Sequence, residues 1–164
     1  MFRSLTKTAL IATLLATTMP ALAWAETKIK DIEVTADVTA VENAKGGEVW
    51  GRLSDDLKAA IASRLGPLIS EDGDRLQVAI DSVALANTFQ QATGIADAKL
   101  SGNVAIVRES DNTNLKNYSL TISFDQAGTF FPAGTDMTTV TTDSKVYYDA
   151  MIAAFADAVV RDLQ

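Results

Sequence analysis

Tyr118-Ser119-Leu120-Thr121-Ile122-Ser123-Phe124 alternates large apolar residues with small hydroxyl residues without a break. Successive side chains of an extended chain point to opposite faces. Tyr118, Leu120, Ile122 and Phe124 therefore share one side, and Ser119, Thr121 and Ser123 share the other. The segment predicts a strand with one buried and one wet face. Sheets built from such strands are largely antiparallel and are covered by helices on the buried side only.

Three further segments read the same way. Ile32-Glu33-Val34-Thr35-Ala36-Asp37-Val38 alternates at period two. Arg75–Ala86 begins in phase with Leu76, Val78 and Ile80, then slips to Val83 and Leu85, which predicts a bulge near Asp81-Ser82. Leu100–Val107 sets Val104 and Ile106 on one face, with Gly102 as its weak point.

Two segments carry helical spacing instead. Leu53, Leu57, Ala60, Ile61, Arg64, Leu65 and Leu68 recur every three or four residues. Ser54 is placed to cap this helix, Asp55 and Asp56 suit its first turn, and Gly66-Pro67 stops it. A start near Glu48, which would leave Ser54 internal, fits as well. The second helix runs from about Ser144 to the C-terminus, with Tyr147, Met151, Ala154, Phe155, Ala158 and Val159 as its apolar stripe and Asp143 or Ser144 as cap.

The order β-α-β-β-β-α predicts an α+β, two-layer sandwich: a mostly antiparallel four-stranded sheet with two helices on one face. The helical crossover makes the first two strands parallel if they share that sheet. Tracing directions from there puts the loops after the first, second and fourth strands at one end. These are Thr39–Val49, Asn87–Lys99 and Asp125–Asp143, longer than Ser70–Asp74 and Glu109–Asn117 at the other end. Long loops gathered at one end of a small domain are where binding residues concentrate.

The N-terminus has the form of an export signal. Arg3 and Lys7 precede the apolar run Ala9–Ala16, and Ala21-Leu22-Ala23-Trp24-Ala25 supplies small residues for cleavage after Ala25, or alternatively after Ala23. The run is far shorter than the ~20 residues of a spanning helix. Residues 1–25 then form a signal peptide and 26–164 a single domain of 139 residues, long enough to bury a core without staples. The expected location is the periplasm. Without cysteine there is no disulfide and no site for an N-terminal lipid, so the exported form is expected to be soluble.

Removal of Arg3 and Lys7 takes the formal charge from −7 to −9. That balance argues against nucleic acid and anionic lipid surfaces. Histidine is absent too, which removes the usual general base and, with cysteine, the common transition-metal ligands. No Gly-x-Ser-x-Gly or Ser-x-x-Lys spacing occurs, and Gly46-Gly47 lacks the context of a phosphate loop. The reading is non-enzymatic, with no cofactor and no metal.

Glu71-Asp72-Gly73-Asp74 has too few ligands for a calcium loop and reads as a polar turn in which Gly73 supplies a positive φ. Thr135, Thr138, Thr139, Thr141 and Thr142 read as a loop leading into a helix cap. Asn117-Tyr118-Ser119 fits a glycosylation pattern inside a predicted strand and carries little weight.

The candidate binding residues are aromatic. Phe130 and Phe131 are adjacent, so they cannot both enter a core from one side of a strand. One faces a partner, or the chain leaves the strand and both fold over the open end of the core. Trp50 and Phe89 belong to the other two loops at that end. Together the four form either an interface centre or a small core that pins the loops.

In element order, Ile29 to Leu163 resembles small bacterial envelope proteins with a single β-α-β-β-β-α domain. These include auxiliary components of lipid or toluene-tolerance ABC transport systems and the lipopolysaccharide-assembly lipoprotein. Those proteins usually carry a lipid on an N-terminal cysteine, which this chain lacks, and no functional residue carries across. The resemblance implies an accessory protein of the cell envelope whose partner is an envelope protein. The competing reading is a small-molecule or lipid binder with a cleft between the helices and the loops. Mass spectrometry of the exported protein is expected to find Glu26 at its N-terminus; a mature chain that retains Met1 contradicts the signal assignment.

Overall fold

Among the described residues, four strands and three helices follow one another: β1 (Ile29–Ala36), α1 (Leu53–Leu65), β2 (Asp74–Ala84), β3 (Lys99–Val107), β4 (Asn114–Ser123), a single-turn α2 (Phe124–Ala127) and α3 (Lys145–Arg161). This computed structural model describes residues 27–36, 48–84 and 98–164. The predicted export segment, Asp37-Val38 of the first predicted strand, the Gly46-Gly47 turn and Phe89 lie outside the described residues.

The strands form one sheet in the order β1-β2-β3-β4. It is mixed: β1 and β2 are parallel, as the α1 crossover requires, and the other two pairs are antiparallel. Register lines up Val34, Val78, Val104 and Tyr118 in one row across the sheet. The next rows hold Ile32, Leu76 and Ile106 on one side and Ile80, Gly102 and Leu120 on the other. The β2 register shifts between Ile80 and Ser82, where the phase slip of the sequence puts it, and Val83 returns to the core side.

The opposite face is polar and cross-linked by side chains. Gln77 donates to Glu33 (2.9 Å), Asn103 to Asp81 (2.8 Å) and Ser119 to Asn103 (2.9 Å), while Ser101 and Thr121 share a hydrogen bond (3.0 Å). Such contacts between neighbouring strands hold register but contribute modestly in water.

Helix α1 buries Leu53, Leu57, Ile61 and Leu65 against β1 and α3. Its start differs from the Ser54 cap: residues 48–50 form a helical turn, Arg52 occupies the cap position, and Ser54 is internal. Gly66 ends it at φ 45°. Helix α3 begins as read, with the Ser144 hydroxyl accepting from the Tyr147 N–H (3.2 Å). Its burial is wider than one stripe. Tyr148, Ala150, Ile152, Ala156 and Val160 are buried as well, leaving a narrow exposed edge. Fully burying each large side chain of this core is worth roughly 1.5–3 kcal/mol.

Strand β4 stops one residue sooner than the alternation suggests. Ser123 Oγ accepts from the Gln126 N–H (3.4 Å) while Gln126 Oε1 accepts from the Ser123 N–H (2.8 Å), a reciprocal cap that opens α2 at Phe124. Val34 and Leu120, expected inside, are only half-buried.

Gly73 does not have the positive φ expected of it. A Cβ there would lie 2.5–2.7 Å from backbone atoms of Ile29 and Lys30, so glycine is needed for close approach of the turn to β1. Gly128 has open space around its Cβ position and ordinary helical φ and ψ. Gly73→Ala is therefore expected to lower stability by roughly 1–3 kcal/mol, and Gly128→Ala to leave it unchanged or slightly raised. Equal melting temperatures for the two variants would contradict this packing.

Candidate functional site

The described parts of the predicted loop end do come together. The Trp50 indole N–H donates to the Thr142 carbonyl (3.2 Å), and the Phe124 N–H to the Ala98 carbonyl (3.3 Å). Trp50 packs edge-on to Tyr148 (5.1 Å between centroids) and tilted against Tyr147 (6.2 Å). Tyr147 stacks on Phe124 (6.0 Å), which meets Phe131 edge-on (5.6 Å). Trp50 and Phe131 thus belong to one aromatic chain, linked through Tyr147 and Phe124.

Trp50 is 1% exposed and Tyr147 fully buried, whereas Phe130 and Phe131 are half-buried and packed on the core. Phe130 closes the turn Gly128–Phe130 rather than ending a strand, and Phe131 follows in extended conformation. Both rings fold over the open end of the core. Whether Phe89 joins them lies outside the described residues.

The threonine-rich segment that follows is held by its own turns. Thr138 donates to Asp136 Oδ1 from its N–H (3.0 Å) and its hydroxyl (2.6 Å), which keeps that carboxyl below the usual aspartate range. Thr141 bonds Asp143, and Ser144 Oγ donates to the Thr141 carbonyl. Thr142 is the only polar residue buried among those described. Glu71-Asp72-Gly73-Asp74 forms a turn closed by the Gly73 N–H on the Ser70 carbonyl (3.0 Å). Among the described residues, no group of three or more carboxylates is placed to hold a metal ion.

Sequence reasoning missed what this cluster supports. Helices α1 and α3 begin side by side at the loop end, and between them runs an open groove of about 510 Å³. Its apolar floor includes Val49, Ala60, Ile152 and Ala153. The rim is charged and mostly paired within itself, Arg64 alone donating to a backbone carbonyl, that of Ala60 (2.9 Å). Arg52 bridges to Asp56 (3.1 Å), the Tyr148 hydroxyl donates to Asp56 (2.8 Å), and Lys145 bridges to Asp149 (2.6 Å). Both bridges are i,i+4 pairs near helix starts, where the aspartates also favour the positive helix ends. The mirrored cation-x-x-x-Asp pattern was the available signal, but nothing local shows that the two pairs flank one groove.

No family model and no curated protein matches the sequence. Among solved structures, a Xanthomonas campestris protein of family DUF330 is similar at TM-score 0.51 and 13% identity, over 88% of this chain and 89% of that one. A PelC dodecamer variant from Paraburkholderia phytofirmans gives TM-score 0.48 at 10% identity, over 84% and 86%. The Xanthomonas protein shares the fold; at this identity the likeness extends no further.

The chain's three tyrosines provide a test of the site. Burial pushes Tyr118 up to about 12 and raises Tyr147 and Tyr148 further, Tyr148 also through its bond to Asp56. The folded state then holds its phenolic protons more tightly than the unfolded chain, whose tyrosines ionise near ~10. The associated stability is fully present below that pH and is lost as pH rises through the folded values. Titration followed at about 295 nm is expected to show no phenolate until unfolding begins above ~10. A tyrosine that ionises normally in the folded protein contradicts its placement here.

Proposed function

We propose that this chain is an exported, non-catalytic accessory protein of the bacterial cell envelope, acting by binding a protein partner along the α1–α3 groove. The signal-like N-terminus, the lack of histidine and cysteine, and the fold shared with a bacterial DUF330 protein all support this reading. The observation that carries it is the rim. Apart from Arg64, whose guanidinium donates to the Ala60 carbonyl (2.9 Å), its charges already satisfy one another on either side of an apolar strip, so a partner's side chains can exchange hydrogen bonds there without meeting an unpaired carboxylate. An open trough of this kind suits a helix or extended segment of another protein.

The second reading, a small-molecule or lipid binder, is favoured by one observation: the volume of about 510 Å³ lies within the usual range for ligand sites. Against it, the groove is a surface trough with charged walls, whereas a lipid chain needs an enclosed apolar one.

Ala153→Phe fills the groove from its half-buried floor. Cross-linking in the envelope fraction is expected to yield a defined protein adduct with the wild type, lost with Ala153→Phe at an unchanged melting temperature. An adduct retained by the variant overturns the assignment. Trp50 is the one tryptophan left by cleavage after Ala25 and packs on Tyr148 beneath the groove. A shift of its emission with phospholipid and no protein adduct would establish the second reading instead.

A further inference from the structure

The two edges of the sheet differ. Edge strand β1 carries Lys30, Asp31 and Glu33 and an irregular register between Ile29 and Asp31, devices that discourage pairing with another strand. Edge strand β4 has no such protection from Asn117 to Ser123. This stretch holds no charge, no proline and no glycine, and Tyr118, Thr121 and Ile122 favour extended conformation. Among the described residues, the backbone groups of residues 115–122 bond to no backbone other than that of β3; the Lys116 ammonium donates to the Asp162 carbonyl at the strand's start. Asn117, Ser119 and Thr121 are exposed, and Tyr118 and Leu120 are half-exposed at the open flank of the core.

We propose that β4 pairs with the β4 of a second copy of this chain, antiparallel about a two-fold axis at Leu120. That register sets Leu120 against Leu120, Tyr118 against Ile122 and Ser119 against Thr121. Apolar side chains meet on the core side and hydroxyls meet on the wet side. Aromatic with β-branched and hydroxyl with hydroxyl are favourable cross-strand pairs. The hydroxyls of Ser119 and Thr121 each make one bond in their own sheet and retain capacity for another. Lys116, just outside the strip, is held within its own copy by the Asp162 carbonyl and over the Tyr118 ring (5.2 Å), and in this register it faces Phe124 of the second copy, so no like charges meet at either end. A chain of formal charge −9 after export needs such an uncharged strip to approach its own copy. Seven paired residues make a small interface, and the dimer is concentration-dependent.

Sedimentation equilibrium on the exported chain tests this. The wild type is expected to dimerise as concentration rises toward roughly 1 mM, the weak limit of specific association. S119K/T121K sets lysine against lysine at both symmetric positions and is expected to weaken the dimer roughly tenfold. S119K/T121E has opposite charges face to face in this register alone and is expected to keep the dimer. A wild type that stays monomeric overturns the proposal, as does a dimer indifferent to S119K/T121K. Should either variant unfold, hydrogen exchange of the wild type decides: amides in 117–123 become protected as concentration rises, or the proposal fails. Protection that appears only with an added envelope peptide would identify the edge as a peptide site and overturn self-pairing.

Discussion

Helix α3 has almost no surface of its own to give to water. Eleven of its seventeen residues are buried, and those most open to solvent, Lys145, Val146, Asp149 and Arg161, leave only a ribbon. An isolated helix of that character would not stay dissolved, so the rest of the chain is arranged to enclose it. The sheet covers one side through β3 and β4, α1 covers a second, and α2 with the turn after it covers a third. Without cysteine, no disulfide fastens these layers. The ribbon is stitched by the pairs Lys145–Asp149 and Asp157–Arg161. Exposed pairs of this kind are worth well under ~1 kcal/mol each. They hold the helix's one wet edge and do little for its stability.

Enclosing α3 explains the aromatic end. Its first turn delivers Tyr147 and Tyr148, and both rings need covering: Trp50 reaches Tyr147 and Tyr148 from the approach to α1, and Phe124 reaches Tyr147 from the end of β4. The Tyr147 hydroxyl is buried with no partner among the described residues, whereas the Tyr148 hydroxyl finds Asp56. That bond ties the two helix starts together and shapes the upper groove. Packing demanded by one helix thus places the side chains that a partner would meet.

Features written within a few residues were legible in the sequence. The slip from Ile80 to Val83 shows the bulge because period two is unforgiving, and Ser144 shows the start of α3 because its hydroxyl has a nearby N–H to serve. The stop of β4 at Ser123 was equally local, a serine followed three residues on by glutamine, yet the alternation ran through it to Phe124. What stayed hidden depends on distant partners. A periodic stripe finds one apolar face, and alanines at 150 and 156 look neutral until a neighbouring element presses on them. Gly73 reads as a turn residue because the Ile29 backbone lies more than forty positions away. The groove joins residues 49–64 to 145–153, and only the assembled pair of helices displays it.

Groove and open edge occupy different parts of the molecule, which bears on how they could work together. No residue lining the groove lies on β4, and the sheet separates the helical layer from the polar face. Pairing through β4 would extend the sheet to eight strands and leave both grooves free, carried on one rigid support and related by the two-fold. A partner with two copies of the recognised segment could then engage both. The second contact would form at the high effective concentration set by that fixed spacing, so two weak grooves could hold what one cannot. For a domain proposed to act by binding, a shallow trough with mostly paired charges becomes useful through such repetition.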